Sequence, residues 1–189
     1  MDYYKKIVGS RCYLSPIRIE DAAKYAEWLN DLEIGQYLEI FHQQLNLEKE
    51  KTILKNMIEK GDQIFAIVGL DKDKLIGNCS LFDLDQLNRK AELGIFIGAK
   101  DYWDNGYGSE ATRLVLDYGF NILNLRNIML KVYEYNKRAL SCYQKIGFRE
   151  IGRRRKAKLI SGKAWDIIYM DILAEEFDSI YVSRITSGE

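Results

Sequence analysis

The sequence predicts one α+β domain built on a mixed, mostly antiparallel sheet flanked by helices. Residues 63–70, 75–82 and 92–98 are short β-rich runs joined by connections of hairpin length, which makes them antiparallel neighbours. Downstream, Ala111, Leu114, Val115, Tyr118 and Ile122 recur at helical spacing, and a strand, a helix and a strand pair follow them. A chain of 189 residues can bury about two-thirds of its unfolded surface, enough for a real core.

Taken in order, residues 11–17 alternate loosely up to Pro16 and read as a strand. Residues 20–29 place Ala22, Ala23, Tyr25, Ala26 and Leu29 at helical spacing. A second helix carries Leu47, Leu54, Met57 and Ile58 on its inner face, with a solvated outer face and Gly61 just past its end. After the three antiparallel strands comes the helix at 111–122. Residues 127–133 then form a strand, 137–146 a helix closed by Gly147, and 148–156 with 164–173 a final pair around Ser161-Gly162-Lys163. With no internal repeat or low-complexity linker, residues 1–175 are the domain and 176–189 a tail.

The charge balance narrows the partners. The 28 basic and 28 acidic residues cancel, so no overall field draws the chain to nucleic acid or to anionic lipid, and neither partner is expected. No apolar run reaches the roughly 20 residues that span a bilayer, and Met1-Asp2-Tyr3-Tyr4-Lys5-Lys6 lacks the features of a signal peptide, so a cytoplasmic location is expected. Cys12, Cys79 and Cys142 lie more than sixty residues apart and read as buried free thiols. His42 is the only histidine, which rules out a multi-histidine metal cage; no metal is expected.

Trp103-Asp104-Asn105-Gly106-Tyr107-Gly108-Ser109 sets two glycines ahead of the strongest helix. Unpaired first-turn N–H groups, the positive end of the helix dipole and a loop without Cβ atoms together make a candidate phosphate cradle. The lysine and spacing of a P-loop are absent. The turn also matches GxGxxA, with Glu134 placed as a ribose-binding acid would be, so a dinucleotide-binding oxidoreductase is an alternative. Against it, the strands upstream read as an antiparallel meander rather than βαβ units.

Asn136-Lys137-Arg138-Ala139-Leu140-Ser141-Cys142-Tyr143-Gln144-Lys145-Ile146-Gly147-Phe148 fills every fixed position of NxxAxxxYxKxGF. With this segment the chain resembles the GCN5-related N-acetyltransferase (GNAT) superfamily. The glycine turn resembles that superfamily's Q/RxxGxG/A motif at Trp103, Gly106 and Gly108, departing from it at Trp103. That departure is similar to the RimJ/RimL-type and spermidine acetyltransferase-like branches.

The resemblance implies a sheet whose two central strands splay, with acetyl-CoA as co-substrate in the gap. Backbone groups of Ile95, Phe96 and Ile97 would pair with the pantetheine arm, and the amides of Asp104, Asn105, Gly106, Tyr107, Gly108 and Ser109, beside Trp103, would hold the pyrophosphate. Asn136 would contact the CoA arm, Ala139 and Lys145 would line the same site, and Tyr143 would face the thioester sulfur. Locally, Asn136 also suits an N-cap, and Gly147-Phe148 a helix C-terminus.

Direct attack by an amine needs a proton taken from the nucleophile and a thiolate released. A thiol titrates near about 8.5 and tyrosine near about 10, so complete proton transfer from Tyr143 is uphill by roughly 2 kcal/mol. Tyr143 is therefore read as a donor that acts while charge builds on sulfur. Glu92 is the first choice of base, with Asp83 and Glu134 behind it. An α-amine, with a pKa near about 8, offers about a hundredfold more neutral nucleophile at pH 7 than a lysine-like amine. The acceptor is therefore read as a peptide or protein N-terminal α-amine, with a polyamine or other small amine as the alternative; the acids of residues 31–50 could line a site for a polycation, though Lys49 and Lys51 sit among them. A non-catalytic CoA-binding module is a further reading, and a homodimer is left open.

Overall fold

The computed structural model describes residues 3–183. Its strands are β1 (Ile7–Val8), β2 (Cys12–Pro16), β3 (Gln63–Gly69), β4 (Lys74–Asp85), β5 (Lys90–Ile97), β6 (Asn127–Tyr133), β7 (Arg149–Ile160) and β8 (Lys163–Leu173). Its helices are α1 (Ala22–Asn30), α2 (Leu32–Gly35), α3 (Leu47–Glu59), α4 (Tyr107–Asn121) and α5 (Lys137–Ile146). The strands form one sheet in the order β1-β2-β3-β4-β5-β6-β8-β7, antiparallel throughout except for β5 against β6. This single parallel pair overturns the dinucleotide-binding alternative, which needs successive βαβ units.

Alternation along the strands sorts side chains to two faces. On one, Leu81, Leu93, Ile128, Leu130 and Ile168 pack against Ala111, Leu114, Val115 and Ile146 of α4 and α5. On the other, Tyr13, Ala66 and Val68 pack against Ala22, Tyr25, Trp28 and Leu54 of α1 and α3. The second cluster takes nothing from β6, β7 or β8, so no α-helix covers that end of the sheet on this face; only the short 3-10 turn Glu39–His42 and the residues before it lie there, against Lys158.

Helix α4 begins ahead of the apolar stripe that signalled it. Gly106 caps it at φ 84°, and the stripe's last member, Ile122, is exposed because the helix ends before reaching it. Two acids anchor it. Glu110 accepts the N–H groups of Ser10, Arg11 and Cys12 at 2.9, 2.7 and 2.9 Å and the Ser10 hydroxyl at 2.5 Å, which joins α4 to the β1–β2 turn. Asp117 accepts Ser179 Oγ at 2.7 Å and the N–H groups of Tyr181 and Val182 at 2.8 and 3.0 Å. Residues after Glu175 therefore stay packed on α4, with Val182 buried; residues 184–189 lie outside the described residues.

Helix α3 differs from its sequence reading. Leu54 is buried, but Leu47 and Ile58 are exposed, and the helix turns Glu50 inward instead. Its position at i−4 from Leu54 puts Glu50 on the buried face, so the solvated face is narrower than the charge pattern implied.

Candidate active site

Only Lys90, Ala91 and Glu92 of β5 pair with β6, opposite Asn127, Ile128 and Met129. Beyond Glu92 the two strands part, and a cavity of about 610 Å³ opens between them. Glu92, Ile95, Phe96 and Ile97 line it from β5, and Trp103, Asp104, Gly106, Gly108 and Ser109 from the glycine turn. Asn136, Ala139, Tyr143 and Lys145 line it around α5. Thus residues from three separate sequence segments meet in one place.

Asn105 and Tyr107 do not line it. Asn105 Nδ2 donates to Asp101 O at 3.2 Å, and the Tyr107 ring packs edge-on against Tyr102 at 4.8 Å; both border a second hollow with Arg11 and Asp71. The left-handed Gly106 between them turns the chain, so its neighbours' side chains leave the cavity while the glycine backbone stays in it.

The two glycines are there for different reasons. Gly106 is demanded by its positive φ. A Cβ at Gly108, by contrast, would meet nothing nearer than Ile97 Cγ1 at 3.7 Å, so protein packing does not require a glycine there. What the missing Cβ leaves clear is the approach to the first turn of α4, whose first internal bond runs from Glu110 N–H to Gly106 O at 3.0 Å. An open path to unpaired amides fits a phosphate group.

Trp103 closes one side of the turn. Its indole N–H donates to Ile97 O at 2.8 Å, so one of the three backbone groups expected to meet the pantetheine already has a partner. The Arg138 guanidinium lies 4.1 Å from the centre of the Trp103 ring and 3.8 Å from Asp104 Oδ2. Positive charge thus enters the cavity from α5, where the resembling motif would supply it from position 103.

At α5, Asn136 caps the helix by accepting Ala139 N–H at 3.1 Å. The helix closes with Gly147 N–H on Gln144 O at 3.2 Å and Phe148 N–H on Tyr143 O at 3.0 Å, the paired bonds of a Schellman motif. This closure seats Phe148 in the core against the Tyr143 ring, 5.7 Å away. Among the described residues the Tyr143 hydroxyl has no hydrogen-bond partner, and burial pushes its pKa well above the ordinary tyrosine value. It stays protonated at neutral pH and is available to donate. Cys142, expected to be buried, is only half-buried: it sits in the cavity wall with its sulfur 3.1 Å from Ser109 Oγ.

Glu92 is almost wholly buried and forms an ion pair with Lys131, Nζ to Oε1 3.0 Å. Burial raises its pKa and Lys131 opposes the rise, leaving it above the ordinary carboxylate value. The other two carboxylates considered as bases lie elsewhere. Asp83 does not border the cavity, and Glu134 stands 3.7 Å from Arg153 Nη1 and accepts Asp166 N–H at 3.4 Å.

Sequence reasoning missed Tyr37, Leu38, Lys131 and Tyr133, which also line the wall, and reached Glu39 only as one acid of the stretch 31–50. Lys131 had a signal, as the one charged residue inside the otherwise apolar run Ile128–Tyr133. Tyr37 and Leu38 had none, since they belong to an irregular stretch placed by long-range contacts: Tyr135 donates to Gln36 O, and the Tyr37 and Tyr135 rings lie 5.9 Å apart. Among the described residues no group of three or more His, Cys, Asp or Glu side chains could hold a metal, and no helix is long and apolar enough to cross a membrane.

A family model described as an acetyltransferase (GNAT) domain matches residues 11–149. The chain belongs to the GNAT family. This acetyltransferase is 28% identical over 170 residues to the uncharacterized N-acetyltransferase p20 of Bacillus licheniformis, covering 88% of the chain and 95% of the relative. It is 34% identical over 104 residues to the putative ribosomal N-acetyltransferase YdaF of Bacillus subtilis, covering 55% and 56%. A solved relative, the spermidine N-acetyltransferase of Vibrio cholerae in complex with CoA and spermine, superposes with a TM-score of 0.80 at 26% identity, over 89% of this chain and 98% of that one. The protein is therefore an acyltransferase of the N-acetyltransferase type, and acetyl-CoA is the co-substrate its family uses.

Proposed function

We propose that this GNAT protein moves the acetyl group of acetyl-CoA onto a peptide or protein N-terminal α-amine by direct attack in the cavity between β5 and β6. One observation carries the reading: a protonated, unpartnered tyrosine hydroxyl and a buried carboxylate of raised pKa line the same cavity, next to a glycine turn that leaves helix amides open. In this scheme the amides after Gly106 and the Arg138 guanidinium hold the phosphates. Glu92, through its carboxylate or a water on it, takes the proton of the attacking amine. Tyr143 donates from its hydroxyl as charge builds on the departing sulfur.

The acceptor end of the cavity supports a single ammonium group. Glu39 and Glu92 supply negative charge there and Lys131 offsets it, beside the rings of Tyr37 and Tyr133. Aromatic faces and carboxylates together suit one cation. A polyamine is the second reading, favoured by the relative solved with CoA and spermine.

The test is release of CoA thiol from acetyl-CoA with N-terminal peptides, spermidine and aminoglycosides as acceptors, alongside thermal melts. Turnover with peptides above that with spermidine is expected, and acetyl-CoA at a hundred times its Kd should stabilise the fold by about 2.7 kcal/mol. Spermidine as the better acceptor would move the assignment to the second reading. Binding of acetyl-CoA with no turnover of any amine would reduce the protein to a CoA-binding module.

A further inference from the structure

Strand register puts Lys131 and Tyr133 of β6 opposite Tyr169 and Ile167 of β8, and Ile167 opposite Arg154 of β7, with Trp165 opposite Lys158. Paired residues of neighbouring strands point to the same face. Lys131, Tyr133, Ile167, Trp165, Arg154 and Lys158 therefore share the face that no α-helix covers; the segment 36–42 reaches its near part, where the Lys158 ammonium donates to Leu38 O at 3.4 Å and lies 5.7 Å from the Phe41 ring, while Arg154 beyond it is exposed. The cavity wall runs directly into this surface, since the Lys158 ammonium lies 4.3 Å from the centre of the Tyr133 ring, which itself lines the cavity.

Charge along this path changes sign. At the cavity stand the carboxylates of Glu39 and Glu92, then Lys131, and farther out Lys158 and Arg154. Among the described residues neither Arg154 nor Lys158 has a carboxylate within ion-pair distance, whereas Arg153, on the opposite face of the same strand, is paired with Glu150 at 2.6 Å. A polyamine lying along this path would bring its second and third ammonium groups against like charge. A chain that begins with an ammonium and continues with carboxylates would meet opposite charge at each step.

We propose that the acceptor is a polypeptide whose N-terminal amine enters at Glu92 and whose following acidic residues lie across β6, β8 and β7 against Lys158 and Arg154. This rests on the N-acetyltransferase reading of the cavity and specifies its substrate. Two strand spacings of about 4.8 Å separate β6 from β7, and an extended chain advances about 3.3 Å per residue, so the acids belong about three to five residues from the amine.

The experiment compares kcat/KM for hexapeptides identical but for Glu, Gln or Lys at positions four to six, with the wild type and Arg154→Glu/Lys158→Gln. The wild type should prefer Glu over Gln peptides by about tenfold at low salt, with the preference shrinking at high salt. The double variant should lose or invert the preference while its melting temperature and acetyl-CoA affinity are kept, which shows that it is folded. Equal rates on Glu and Gln peptides in the wild type would overturn the proposal and leave the acetyltransferase reading standing. Absence of turnover on every amine would remove that reading instead, and this proposal with it. Competition by a single-stranded RNA 12-mer, with no preference among the peptides, would assign the face to nucleic acid and also overturn it.

Discussion

On the α4 side of the sheet, Glu110 and Asp117 are deeply buried with both oxygens of each carboxylate occupied by donors. On the α3 side Glu50 is 2% exposed, yet its Oε2 has no hydrogen-bond partner. The first two acids tie α4 to the β1–β2 turn and to the segment after Glu175, and α4 in turn presents the glycine turn. The third satisfies nothing, and burial raises its pKa to about 7. The side that presents the glycine turn is thus braced by its charges, and the side that carries α3 buries one carboxylate oxygen without a hydrogen bond. A buried carboxylate stabilises only when its hydrogen bonds are supplied along with it.

The largest effect that would test this division is chemical. Tyr143→Phe keeps the ring against Phe148, and kcat and kcat/KM for the amine should both fall by about 10²-fold while acetyl-CoA affinity is retained. Single-turnover assays decide it, since a kcat within about twofold of wild type would return Tyr143 to a packing role. Next, Glu110→Gln should destabilise by about 2 kcal/mol in denaturant titrations, because an amide nitrogen would face backbone donors that now meet oxygen. Its folded-state pKa is lowered, since hydrogen bonds outweigh the effect of burial. Its contribution is therefore present at neutral pH and lost as pH falls through that lowered value.

Gly108→Val comes third: CoA affinity should drop about tenfold by calorimetry with little change in stability, because the pocket for the side chain is open in the protein alone. Unchanged affinity would make the turn a connector only. Glu50→Gln should do the reverse of Glu110→Gln. With a folded pKa raised to about 7, the Glu50 carboxyl stabilises the fold below its unfolded value of about 4.3, and that stability is lost as pH rises toward and past 7. The variant should flatten this decline and gain about 1 kcal/mol at pH 8. Smallest of all, Lys131→Met removes the influence that lowers the Glu92 pKa, so the acidic limb of the kcat/KM profile should move to higher pH. A limb that stays in place would exclude Glu92 as the base.

The same division governs how much could be read from the chain. The proposed cofactor half lies in two contiguous segments, 103–109 and 136–148, whose glycines, N-cap and closing Phe148 act locally, so spacing alone reveals them. A motif gives positions and not directions: the side chains of Asn105 and Tyr107 turn away from the cavity, and only their backbone amides keep the role the motif implies for them. The sheet was legible through alternation and connection length, whereas β1, with two residues, is too short to show a period. The proposed acceptor half is assembled from Tyr37, Glu39, Glu92, Lys131 and Tyr133, which meet only through strand order and a loop pinned by Tyr135. Glu92 could be named from its place at the start of a strand. The identity of its partner, Lys131, depends on a parallel pairing that no local pattern encodes.

The chain has three tryptophans, and they fall in three unlike surroundings. Trp28 is buried beneath α1, Trp103 is stacked under Arg138 at the glycine turn, and Trp165 is half-buried opposite Lys158 on the open face. Trp28 touches the cavity only through Phe96, 6.3 Å away, so with Trp28 replaced by Phe the two remaining indoles can serve as separate optical reporters. On the proposed scheme, emission from Trp103 should follow arrival of the phosphates and emission from Trp165 arrival of the acceptor. Two variants that each retain one of these indoles would therefore resolve the order in which the substrates bind by stopped-flow fluorescence, with no label attached.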